Sequence, residues 1–280
     1  MRELPFEDIT AAVERLCIEA AVHLPEDLCA LLERAAGREE SPAGAAALSD
    51  IVENFRLAKA TGLPICQDTG MAIVFADIGQ EVHISGGLFE DAVNEGVRRG
   101  YLNGWLRKSI VRDPLRRENT EDNTPAVIHT RLVAGDRLVL TVAPKGFGSE
   151  NMSAMRLFMP SDGAETIEDF IVETVERAGS NPCPPVVLGV GLGGTVEQAA
   201  LLSKRAILRE AGRPNPDAFY ADMEARVLEK INRLGIGPQG FGGRYTAVAV
   251  HIEPFPTHIS GLACVVTMSC HATRHAGCVL

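Results

Sequence analysis

The sequence predicts an α/β (α+β mixed) fold, a single large domain over residues 1–280 with a helical N-terminal portion over about residues 1–62. Three observations lead there. The first sixty-odd residues carry helical periodicity alone. Beyond residue 63, apolar runs of strand character alternate with amphipathic stretches. Long regular βαβ repetition is absent, which separates the chain from a doubly wound parallel sheet. With 280 residues, 46% of them hydrophobic, the chain can bury a sizeable core.

The elements follow in order. Phe6 to Ala36 reads as two helices separated by Pro25, and Glu39 to Ala46 as a polar, small-residue connection. Asp50 can cap a third helix through Lys59, which Gly62 and Pro64 stop. Met71 to Ala76 is β-rich, and Glu90 to Trp105 is helical again. Val127 to Val142 holds two apolar runs around Ala134-Gly135-Asp136, a hairpin signal. Asp162 begins a helix to about Ala178. Val186 to Val190 is a short strand, a helix starts at Val196, and residues 214–234 add another. Thr246 to Met268 alternates in the manner of strands.

Charge and composition remove several classes of function. A net charge of −10 disfavours nucleic acid and anionic membrane as partners, because both attract basic surfaces. No apolar run is long enough to span a bilayer, and the N-terminus lacks a signal-peptide pattern. Seven cysteines without a secretory signal point to the cytoplasm and to metal ligation or reactive thiols rather than disulfides.

The most informative segment is Ile65-Cys66-Gln67-Asp68-Thr69-Gly70, a thiol beside an amide, a carboxylate and a hydroxyl, closed by a turn-permitting glycine. Cys183 lies in Asn181-Pro182-Cys183-Pro184-Pro185, and Cys270 in Ser269-Cys270-His271-Ala272-Thr273-Arg274. Single cysteines so widely spaced suggest one cluster assembled by the fold, since a local zinc finger uses closely paired ligands. Cys17, Cys29 and Cys264 sit in apolar patterns and read as core. His271 and His275, four apart, would share a helix face and offer a weaker zinc reading.

Two glycine-rich runs compete for attention. Gly189-Val190-Gly191-Leu192-Gly193-Gly194 fits the dinucleotide fingerprint in its strand-to-helix context. No second strand ending in an acidic ribose ligand follows it, so close packing of helix on strand is the competing reading. Lys145-Gly146-Phe147-Gly148-Ser149-Glu150-Asn151-Met152-Ser153 is no P-loop, because its lysine comes first. It can fold round a small oxygen-rich ligand with Ser149 and Asn151 as donors, or be an ordinary turn.

Taken together, ICQDTG, DNTPAVIH, KGFGSENMS, NPCPPVVLGVGLGGTVEQA and MSCHATRHA resemble, in order, the α subunit of the two-subunit class I fumarases and L-tartrate dehydratases. The resemblance covers nearly the whole chain. It implies an α/β fold and an oxygen-sensitive [4Fe–4S] cluster held by Cys66, Cys183 and Cys270, with one iron not ligated by protein. It implies that Gln67 and Asp68 reach the substrate, that His258 partners Asp68 in proton handling, and that Arg107 grips a substrate carboxylate. Gly148, Ser149 and Asn151 match the family's glycine-rich substrate loop. Without the resemblance, His258 reads as a loop histidine and Arg107 as a solvated helix-end charge.

Single-chain members of that family continue into a second domain bearing further substrate arginines, a catalytic threonine and a lysine. This chain stops ten residues after Cys270. The resemblance therefore implies a separate β subunit, an α2β2 heterotetramer and a small dicarboxylate as substrate. The expected activity is the cluster-bearing α subunit of a fumarate hydratase, interconverting fumarate and (S)-malate. L(+)-tartrate dehydratase, forming oxaloacetate, is the alternative. A non-catalytic iron–sulfur or zinc-binding scaffold and a nicotinamide oxidoreductase are readings of other classes.

Overall fold

The computed structural model describes residues 1–280 as an α/β protein of interleaved helices and mixed sheets. The N-terminal part contributes β1 (Arg2–Pro5), α1 (Phe6–Val22), α2 (Glu26–Ala36) and α3 (Pro42–Thr61). Pro25 separates α1 from α2 as expected. The third helix starts earlier than expected, and Asp50 lies inside it. Ser41 Oγ accepts the Gly44 N–H at 3.3 Å, Pro42 occupies the first turn where its missing donor costs nothing, and Ala43 and Ala45 to Ala47 favour helix. The small residues read as a connection are therefore a helix start.

Next come β2 (Met71–Gly79), β3 (Val82–Ser85), α4 (Phe89–Asn103), β4 (Val127–Val133), β5 (Leu138–Lys145) and a single-turn α5 (Phe147–Glu150). Then follow β6 (Ala154–Phe158), α6 (Gly163–Ala178), β7 (Val186–Gly193), α7 (Val196–Ala206) and α8 (Ala218–Asn232). The chain ends with β8 (Ala247–Phe255), β9 (Leu262–Met268) and β10 (Ala276–Val279). No helix is long and apolar enough to cross a membrane.

The chain forms two compact units. The first comprises Met1–Pro25, Phe55–Phe147 and Arg274–Leu280; the second comprises Glu26–Asn54 and Gly148–Thr273. The helices of the N-terminal portion are thus divided between them.

In the first unit the sheet order is β10-β5-β2-β4, with β2 parallel to β4 and antiparallel to β5, while β1 pairs with β3 separately. The expected hairpin is therefore split. β4 and β5 do not pair with each other, because β2, buried from Ala72 to Ala76, takes the place between them. A helix–sheet core joins Ile9, Val13 and Leu16 of α1, Val93 and Val97 of α4, and Val74, Leu140 and Val142 of the sheet. Gly96 and Gly100 let α4 approach α1 closely, since a Cβ at Gly96 would lie 2.6 Å from Val13 Cβ.

In the second unit the order is β6-β9-β7-β8, with β7 parallel to β8 and antiparallel to β9. All of β7 is buried, and its faces alternate. Val186, Leu188, Val190 and Leu192 join the core with α6 and α8, whereas Gly189 and Gly191 lie under α7. A Cβ would come 2.1 Å from Ser203 O at Gly189 and 1.9 Å from Ala199 O at Gly191. The first two glycines of the apparent dinucleotide fingerprint serve this packing. Three of its glycines lie within the strand rather than in a phosphate-binding turn.

Candidate functional site

In the first unit, the chain enters the Cys66–Gly70 turn anchored by the Ile65 N–H on Ala21 O at 3.0 Å. The turn closes at Gly70, whose φ of +78° is joined by a steric demand: a Cβ there would lie 2.8 Å from the Lys145 backbone. Inside the turn the Asp68 N–H donates to Cys66 Sγ at 3.4 Å. Both Asp68 carboxylate oxygens are held by backbone donors, Oδ1 by Gly70 N at 3.0 Å and Oδ2 by Phe147 N at 2.9 Å. Gly146 leaves room for this carboxylate, since a Cβ there would sit 3.1 Å from Oδ2. Gln67 is exposed beside it.

The turn's carbonyls are held as firmly as its carboxylate. Arg274, buried, donates through Nη2 to Asp68 O. Tyr101 OH is 2.8 Å from Thr69 O and 3.0 Å from Gly70 O, and Asn123 Nδ2 donates to Gly70 O at 3.2 Å. Burial pushes the Tyr101 phenol far up, so it stays a donor. Thr69 Oγ1 donates to Arg107 O at 3.0 Å, which ties the backbone of Arg107 to the turn while its side chain remains exposed.

In the second unit, Cys183 adopts φ +57° and its N–H donates to Ser180 O at 3.0 Å. His271 donates to Cys183 O from its backbone at 3.3 Å, and its Nδ1 lies 3.0 Å from that carbonyl and 3.1 Å from Gln239 Nε2. Gln239 adds two donors to Pro184 O, from its N–H at 2.8 Å and from Nε2 at 2.6 Å. These bonds bring the Cys183 loop and the Cys270 turn together. Residues 271–275 are not helical, which removes the shared helix face proposed for His271 and His275.

The expected glycine-rich loop is compact. Gly148 and Ser149 lie in α5, Ser149 is buried and Asn151 is exposed. Glu150 pairs with Lys204. His258 is exposed, and its Nδ1 accepts the Ser260 N–H at 3.2 Å and lies 2.8 Å from the Ser260 hydroxyl.

Comparison with known proteins agrees with this arrangement of motifs. A family model described as fumarate hydratase (Fumerase) matches residues 10–279. The chain belongs to the fumarate hydratase (Fumerase) family. A protein of Methanocaldococcus jannaschii named "Putative L(+)-tartrate dehydratase subunit alpha" is 41% identical over 274 residues, covering 96% of this chain and 96% of that one. The "L(+)-tartrate dehydratase subunit alpha" of Escherichia coli O157:H7 is 32% identical, and that of strain K12 is 31% identical. Both alignments run over 269 residues, 95% of this chain and 88% of theirs. Family membership makes the chain part of a hydro-lyase.

For a Fumerase-family protein the question is whether these cysteines suit a cluster. Cys66, Cys183 and Cys270 all lie in turns, whereas Cys17, Cys29, Cys264 and Cys278 lie inside α1, α2, β9 and β10. Burial pushes the Cys17 and Cys264 thiols up to about 12, so both stay protonated and poor ligands at neutral pH. Cys66, by contrast, is half-buried and receives an N–H···S bond of the kind that stabilises cluster thiolates. No group of three or more His, Cys, Asp or Glu side chains converges as a site for a single metal ion. Cys66, Cys183 and Cys270 thus offer sulfur donors outside the regular elements.

Tyr101 and Asn123 were not singled out from the sequence. Tyr101 falls on the apolar face of α4 and reads as core, with its acceptors 31 and 32 residues away. Asn123 stands in the DNTPAVIH motif, where only the motif match marks it. Arg274 and Gln239 likewise act through contacts remote in sequence.

Proposed function

We propose that this chain is the α subunit of an L(+)-tartrate dehydratase, converting tartrate to oxaloacetate and water with a separate β subunit completing the active site. The observation that carries this reading is the near full-length likeness to proteins named as α subunits of that enzyme. Fumarate hydratase, the activity expected from sequence, becomes the second reading, supported by the family description. The assembly would be an α2β2 heterotetramer, as expected from the family resemblance.

Cys66, Cys183 and Cys270 are the residues that would hold a [4Fe–4S] cluster with one iron lacking a protein ligand. Such a cluster, when bound, supplies a Lewis acid that polarises the hydroxyl and carboxylate of a 2-hydroxy acid. The reaction removes a proton from one carbinol carbon and hydroxide from the other. The enol so formed rearranges to oxaloacetate.

The chain's own side chains supply orientation and proton handling. Asp68 has both oxygens fixed by backbone donors, so its remaining lone pairs have a defined direction. His258 accepts at Nδ1 from the Ser260 N–H, which places a ring proton at Nε2 for transfer. Arg107 offers a fork of donors matched to a carboxylate, with Gln67, Gly148, Ser149 and Asn151 as further polar contacts.

The deciding experiment is anaerobic co-production with the β partner and comparison of kcat/KM on L(+)-tartrate, (S)-malate and fumarate. Tartrate is expected to lead by at least about 100-fold, because a site that hydrogen-bonds the second hydroxyl strongly rejects a substrate lacking it. Faster malate–fumarate interconversion would return the reading to fumarase. Persistent metal binding without dehydratase activity on any of the three would favour a scaffold.

A further inference from the structure

The carboxylate and the guanidinium assigned above to the substrate lie 39 residues apart in sequence, at Asp68 and Arg107, on segments without regular structure. Something must fix one against the other. Asn123 is fully buried, and its one amide bonds both segments. Nδ2 donates to Gly70 O at 3.2 Å, two residues beyond Asp68, and Oδ1 accepts Ser109 N–H at 2.7 Å, two residues beyond Arg107.

We infer that Asn123 is a positioning residue that sets the placement of Asp68 relative to Arg107 through this bridge. The inference rests on the site reading above and extends it.

The chemistry of the position is narrow. The bridge needs a donor and an acceptor on one short side chain, which among residues of this length only asparagine supplies at neutral pH. Aspartate keeps the acceptor and loses the donor, placing a carboxylate against the Gly70 carbonyl. The backbone adds a second restriction, for Asn123 has φ +65°, a conformation asparagine tolerates and most residues do not. A parallel strut, Thr69 Oγ1 to Arg107 O, joins the same two segments, so the bridge is part of a braced frame. Losing the Oδ1 end takes from the Ser109 N–H its acceptor, and losing the Nδ2 end leaves Gly70 O with the Tyr101 hydroxyl at 3.0 Å as its remaining side-chain donor.

Two variants separate the ends of the bridge. Asn123→Asp retains the Ser109 contact and breaks that to Gly70, whereas Asn123→Gly keeps the left-handed backbone and breaks both. They are assayed as the anaerobically reconstituted α/β holoenzyme on L(+)-tartrate, with iron and sulfide counted and amide exchange followed. Asn123→Asp is expected to lower kcat about 10- to 100-fold with KM within about threefold, because misplacement of the order of 1 Å is costly. Asn123→Gly should also raise KM several-fold and accelerate exchange at the Ser109 amide, with cluster content unchanged in both. Turnover within about twofold of the parent, unchanged Ser109 exchange in the glycine variant, or activity falling in proportion to cluster content would each overturn the inference. Asp68→Asn and Arg107→Met run alongside. If these retain activity, the site reading fails; if they are inactive while both Asn123 variants match the parent, only the bridge fails.

Discussion

In β7, Gly189 and Gly191 face α7 with helix carbonyls where a Cβ would be, and the strand continues through both without a turn. In the Cys66–Gly70 turn the glycine closes the loop at φ +78°, and Cys66 Sγ, the Asp68 carboxylate and the Thr69 and Gly70 carbonyls are all hydrogen-bonded. The first segment uses glycine to exclude side chains; the second uses it to aim them. Glycine content alone does not separate the two cases. What separates them is where the adjacent N–H and C=O groups go: into a ladder with β8 and β9 in one, and onto Asp68, Tyr101 and Asn123 in the other.

This contrast predicts two kinds of damage. Cys66→Ser or Asp68→Asn should abolish turnover of the α/β enzyme with little loss of fold. Loss of the proton-handling carboxylate is expected to cost about 10²- to 10⁴-fold in kcat. Cys66→Ser should in addition lower the iron and sulfide count, and an unchanged count would remove Cys66 from the ligand set.

Gly191→Ala should do the reverse. A Cβ at 1.9 Å from Ala199 O forces α7 off the strand, at about 3 kcal/mol or more. Thermal unfolding should move down by roughly 6–12 °C, while activity per folded molecule is retained. A variant as stable as the parent would break the distinction drawn here.

A smaller effect concerns the core thiols. Cys17 and Cys264 are held protonated to about 12 by burial, against about 8.5 in an unfolded chain. Between those values the native state binds more protons than the unfolded one, so stability is full below about pH 8.5 and falls as pH rises towards 12. The slope is on the order of 1 kcal/mol per pH unit per thiol. Cys17→Ala and Cys264→Ala should flatten that decline in denaturant titrations between pH 9 and 11; an unchanged slope would remove the thiols as its cause.

The smallest expected effect is Gly148→Ala. The nearest atom to a Cβ there is Asn181 O at 3.7 Å, so stability should stay within about 0.5 kcal/mol. A fall in kcat/KM with unchanged stability would show that the substrate needs the open space, sharpening the contrast with Gly191.

Much of this was legible in the chain. Pro25 marks the break between α1 and α2, and Val196 the start of α7, because both signals act within a turn or two of helix. The three turn cysteines stood apart from the four in regular elements through their proline, glycine and polar neighbours. The start of α3 was missed although Ser41-Pro42 is a local cap, because the small residues that follow resemble a linker. The split of β4 from β5 was hidden for a different reason: strand order depends on which apolar strand fills the space between, and β2 lies far upstream.

By itself, the sequence determined the fold class, the cysteines placed in turns and the family, since each depends on local pattern or on motifs kept in order. Only the tertiary structure decided that Gly189 and Gly191 pack a helix, that Asp68 receives its two backbone N–H bonds, and that Asn123 joins the segments carrying Asp68 and Arg107. These last facts rest on hydrogen bonds and close approaches between residues remote in the chain. No local propensity encodes them, because each partner has an ordinary appearance until the fold brings the other within about 3 Å.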